Sequence, residues 1–86
     1  MSSQALAADL EALTLRKVEA RPGDAVFARA LEEVRRLRAA LQPDGKLSPA
    51  DYEGEELGLL CVRELETVDP GYCERVYAFL EAARPG

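Results

Sequence analysis

Histidine, tryptophan and isoleucine are absent from this 86-residue chain, and only two cysteines occur. Without histidine the chain has no general base of the commonest kind near neutral pH, no Ser-His-Asp or Cys-His arrangement and no His-containing zinc site. Cys61 and Cys73 are twelve apart, with no CxxC and no second pair, so neither a redox motif, a zinc ribbon nor a disulfide framework is expected. No stretch approaches the ~18 uncharged apolar residues of a membrane span. Met1 to Leu15 lacks a basic start and carries Asp9 and Glu11. The expectation is a soluble cytoplasmic protein with two reduced thiols.

What is present is small, acidic and rich in helix formers. The formal net charge is −5, and hydrophobic residues make up 48% of the chain, but 14 of them are alanines, which bury little. The large apolar set is mainly 13 Leu, 6 Val and 2 Phe. That supports one domain, residues 1–86, with a core thin enough to gain from a partner surface. Turn formers at Arg21-Pro22-Gly23-Asp24, Gln42-Pro43-Asp44-Gly45-Lys46 and Val68-Asp69-Pro70-Gly71 divide it into four segments. Period-two alternation is missing, whereas Ala, Leu, Glu and Arg dominate. The fold class expected is all-α, a small four-helix domain of two antiparallel helical hairpins joined by short Pro/Gly-containing turns.

Segment one, about Ser3 to Ala20, sets Leu6, Leu10 and Leu13 on one stripe and Leu15 and Val18 nearly opposite, predicting a helix buried on two faces or bent near Thr14. Segment two gathers Val26, Phe27, Ala30, Leu31, Val34, Leu37 and Leu41 on one face, with Asp24 as its N-cap. Segment three starts at Ser48-Pro49-Ala50-Asp51, where Ser caps, Pro suits the first helical position and Asp favours the positive helix end. Read as one helix, it lines up Leu57, Cys61, Leu65 and Val68, with Gly54 and Gly58 beside them. Segment four turns Tyr72, Cys73, Val76, Phe79, Leu80 and Ala83 inward. Cys61 and Cys73 fall on inward faces, where they act as small buried hydrophobes within reach of one another.

Charge is uneven: residues 22–47 carry +1 and residues 48–86 carry −6. Complementary neighbouring helices account for this, as does an acidic half facing a partner with a basic surface. Asp51, Glu53, Glu55 and Glu56 form an acidic cluster, but a carboxylate metal helix normally supplies a His three residues after a Glu, and none exists. No catalytic residue, cofactor or metal ligand is therefore expected. Arg16, Lys17, Arg21, Arg35, Arg36 and Arg38 would be the footprint of a dimeric nucleic-acid-binding regulator, which the acidic balance and lack of interleaved aromatics disfavour.

The string Asp44-Gly45-Lys46-Leu47-Ser48-Pro49-Ala50-Asp51-Tyr52 resembles the second half of an EF-hand loop, with Gly45 at the sharp turn and Asp51 closing it. Ala40 and Gln42 occupy the places of the leading ligands, Pro43 intrudes, and the closing acid is Asp rather than Glu. The same nine residues are similar to an inter-helix turn of tellurite-resistance-like helical domains, a coverage too short to name a family. A metal- or small-molecule-sensing module centred on residues 44–52 is thus the runner-up.

The main expectation is a non-catalytic protein–protein interaction module, such as a regulatory subunit, adaptor or chaperone- or immunity-like factor, in a homodimer or hetero-oligomer. Tyr52 and Leu59, two turns apart beside Glu55, Glu56 and Arg63, interrupt a polar face with the spacing of helix anchors. Leu15 and Val18 form a similar misfit on segment one. These seven residues are the candidate partner-binding set.

Overall fold

The computed structural model describes residues 2–86, and its regular elements are all helical. Helix α1 spans Ser3–Ala20, α2 Ala25–Ala40, α3 Pro49–Glu53, α4 Leu57–Leu60 and α5 Pro70–Ala82. Between α4 and α5, Cys61–Leu65 forms a π-helical turn that continues α4 without a gap. Two antiparallel hairpins result, α1 with α2 and α4 with α5. Glu11 on α1 reaches Arg35 at 3.6 Å and Arg38 at 3.2 Å on α2, residues about as far beyond the connecting turn as Glu11 lies before it.

Each long helix begins on a side chain that accepts from a first-turn amide, satisfying donors with no intrahelical partner. Ser2 accepts from Ala5 at 3.1 Å, Asp24 from Val26 at 2.9 Å, and Asp69 from Tyr72 at 3.3 Å. Short α3 has the same device. Ser48 Oγ accepts from the Asp51 amide at 3.1 Å and donates to Asp51 Oδ2 at 3.0 Å.

Helix α1 runs unbroken through Thr14 and lies against both α2 and α5. Two neighbours explain its wide apolar arc. Ala7, Leu10 and Thr14 are buried at its centre, and Leu6, Leu13 and Val18 pack at its margins. Neither a bend nor two opposite buried faces is needed, and only Leu15 falls outside the arc, 38% exposed. The core joins these residues to Phe27, Val34 and Leu37 of α2, to Leu57 and Cys61, and to Tyr72, Val76 and Phe79 of α5. Phe27 and Tyr72 meet edge to face with ring centroids 5.4 Å apart, a favoured aromatic geometry.

The third segment is not the single helix its periodicity predicts. It breaks after Glu53, where Gly54 caps α3, and restarts at Leu57. The π turn then bonds Glu66 N–H to Cys61 O at 2.9 Å, one residue further along than an α-helix would. Leu57, Cys61 and Leu65 keep their inward face, but that extra residue and the turn after it carry Val68 into solvent, 58% exposed.

The turn between the hairpins is tied down by three hydrogen bonds, one to α1 and two to the end of α5. Gly45 has φ +82°, a left-handed conformation that glycine adopts without steric cost, and its carbonyl accepts from buried Ser3 Oγ. Leu47 N–H donates to Ala83 O at 2.9 Å, and Lys46 Nζ to Ala82 O at 3.2 Å, so the turn satisfies carbonyls at the end of α5.

Candidate functional site

The start of α4 is held by carboxylates from two directions. Glu55 Oε2 accepts from Gly58 N–H at 2.9 Å, a local cap. Glu33, from the middle of α2, accepts from Glu56 N–H at 2.7 Å while its other contacts, at 2.6 and 3.0 Å, come from Arg36. The Arg36 hydrogen bond holds the Glu33 carboxyl below its ordinary titration range, against the opposing effect of partial burial. Helix α4 is thus fixed to α2 by an ionised group acting on its backbone.

Fixing α4 this way leaves an apolar strip outside. Leu57, Leu60 and Cys61 point into the core, so Leu59 and Val62, one turn apart, face away from it, 49% and 58% exposed. Beside Leu59 an open groove of about 500 Å³ runs between α2 and α4, lined by Arg29, Glu56, Leu59, Leu60, Arg63 and Glu64. Arg29 reaches Glu64 across it at 3.5 Å, both side chains being solvent-facing.

The predicted residues divide accordingly. Glu56, Leu59 and Arg63 come together at the groove. Glu55 is beside it but spends a carboxylate oxygen on the α4 cap. Tyr52 is on α3, beyond the Gly54 break, half-buried against the core; it shares no helical face with Leu59. Val18 packs on the core and Leu15 stands on the exposed side of α1. Arg29, Val62 and Glu64 are additions. The one-turn spacing from Leu59 marks Val62 in the sequence, whereas Arg29 is brought in by the tertiary fold.

Comparison with protein-family models, with curated proteins and with solved structures finds no match.

The other groups singled out in the sequence have local partners. Asp44 Oδ1 accepts from the Lys46 amide at 2.9 Å and Asp51 closes the α3 cap; among the described residues no three His, Cys, Asp or Glu side chains converge as metal ligands. Arg35 and Arg38 share Glu11, Arg36 holds Glu33 and approaches Asp51 at 3.9 Å, and Lys17 meets Asp69 at 2.6 Å. Four of the six cations of the basic footprint are therefore paired within the chain, Arg35 and Arg38 with Glu11 of α1 and Arg36 chiefly within α2 rather than with the acidic third segment. Cys61 and Cys73 are both free thiols buried in the same core. Burial pushes both upward in pKa, so neither is an activated nucleophile. No helix among the described residues is long and apolar enough to cross a membrane.

Proposed function

We propose that this protein is a non-catalytic interaction module that buries the outer strip of α4 and the π turn that continues it, centred on Leu59 and Val62, against another polypeptide chain. The observation that carries this reading is the pair of large apolar side chains held outward, one turn apart, by a helix whose other face is saturated by the core. Scattered exposed leucines need no explanation, but an apolar strip beside an open groove with charged walls has the make-up of an interface centre and rim. The charged walls set orientation and the apolar strip supplies the buried area. A regulatory, adaptor or inhibitory role follows from such a surface, since binding alone changes what the partner can touch.

A photo-crosslinking residue placed at position 59 in living cells tests this reading. The expected result is a covalent adduct with a polypeptide, absent when the same residue replaces solvent-facing Glu74 on α5. Equal labelling from both positions, or none from position 59, contradicts it.

A further inference from the structure

The charges around the α4 strip are arranged in a way that specifies one occupant. Glu56 precedes Leu59 by three residues and Arg63 follows Leu60 by three, so the acid and the base stand symmetrically about the Leu59–Leu60 midpoint. They are two helical turns apart and both line the groove, with side chains in or near solvent. Glu56 lies in the field of Arg36, which Glu33 already engages, and Arg63 has no carboxylate within ion-pair distance among the described residues.

A helix with an acid at one end of a strip and a base at the other is complementary to itself when turned end over end. If two copies of α4 and its π-turn continuation pack antiparallel about a two-fold axis beside Leu59, Glu56 of each faces Arg63 of the other, and the exposed Leu59 of one meets Leu59 of the other. Val62 is covered at the margin. Such an isologous contact uses one patch twice and closes after two copies, leaving no open surface to propagate a chain. Parallel packing would instead place Glu56 on Glu56 and Arg63 on Arg63.

The charge of the whole chain favours this patch over others. At −5 per chain, two copies repel over most of their surfaces. The groove lining, with Arg29 and Arg63 against Glu56 and Glu64, sums to zero, so two copies approaching there meet less net repulsion than over the acidic remainder of the surface. A strongly basic partner would find no net negative field at this groove.

We infer that the occupant of the α4 strip is a second copy of this chain, packed antiparallel through Leu59 and Val62 with reciprocal Glu56–Arg63 pairs. This rests on the interaction reading above and goes beyond it by naming the partner.

Sedimentation equilibrium of the purified full chain tests it, using Arg63→Glu and Glu56→Arg, with circular dichroism confirming that each stays helical. The parent should show a monomer–dimer equilibrium. Each variant alone faces like charge twice across the axis and should dimerise at least about tenfold more weakly. An equimolar mixture restores both opposite-charge pairs and should form the mixed dimer about as well as the parent forms its own. A parent that stays monomeric at millimolar concentration, or a mixture no better than either variant, overturns the inference. If the position-59 crosslinker then still captures a polypeptide of another mass, the interaction reading stands without the dimer; if it captures nothing, both fail.

Discussion

The hydroxyls of Thr14 and Tyr72 lie 2.7 Å apart in the core, joining α1 to α5. Thr14 Oγ1 also lies 2.6 Å from Leu10 O, to which it donates, so the Tyr72 hydroxyl is the donor between the two side chains. Every polar atom in this chain of bonds has a partner, which is what makes two buried hydroxyls tolerable. The two possible deletions are unequal. Tyr72→Phe removes one donor and leaves Thr14 bonded to Leu10, costing about 1 kcal/mol. Thr14→Val strands the buried tyrosine hydroxyl and should cost about 1–3 kcal/mol. Urea unfolding of the two variants gives the ranking, and a larger loss for Tyr72→Phe would contradict it.

Burial pushes the Tyr72 phenol up to about 12, from an ordinary value of 10.0. In the unfolded chain the proton leaves near pH 10, so between pH 10 and 12 the unfolded state sheds a proton that the folded state keeps. Stability from this group is complete below pH 10 and is lost as pH rises through 12. The buried thiols of Cys61 and Cys73, also raised, begin the decline earlier, near pH 9, where unfolded thiols ionise. Unfolding free energy measured from pH 8 to 12 should fall throughout, and Tyr72→Phe should flatten its upper part.

On the acid side the sign reverses. The hydrogen bond from Arg36 holds Glu33 below 4.5, and the hydrogen bond from Lys17 holds Asp69 below 3.8. Their stabilisation is present above those ordinary values and disappears as pH falls through the depressed ones. Glu33→Gln keeps an acceptor for the Glu56 amide but loses the charge on Arg36. It should cost about 1 kcal/mol at pH 7 and progressively less as the pH falls through the lowered Glu33 titration, a narrowing that pH-dependent denaturation checks.

Cys61 and Cys73 should react together or not at all. Both thiols are buried and held protonated, so an aromatic disulfide reagent should leave the native chain unmodified and titrate two thiols once denaturant is added. A single fast thiol under native conditions would show that the π turn opens on its own.

Much of this architecture is legible in the residue pattern, and the exceptions share a cause. The whole inward face from Phe27 to Leu37 follows from 3.6-residue periodicity, and the Asp24 and Ser48 caps follow from local chemistry. The break at Gly54 escapes detection because what restarts the helix, the Glu33 carboxylate on the Glu56 amide, comes from 23 residues away. The π turn is equally silent, since Cys61–Leu65 has the composition of an α-helix and differs only in bonding one residue further on; Val68 is misplaced in consequence. The same break separates Tyr52 from Leu59, so the two do not share the helical face read along one helix, and the large apolar side chain exposed one turn from Leu59 is Val62. Glu56, Leu59 and Arg63 lie together as the sequence spacing places them because they follow the break and sit at the start of α4, on it and on its continuation.

The Leu59→Lys variant tests most directly whether the outer strip of α4 serves a partner or the fold, with thermal unfolding followed by circular dichroism and a crosslinker placed at position 62. The account predicts a melting curve that overlays the parent's within about 2 °C and loss of the crosslinked adduct. Collapse of helicity, which would put Leu59 in the core, or an adduct of undiminished yield would contradict it.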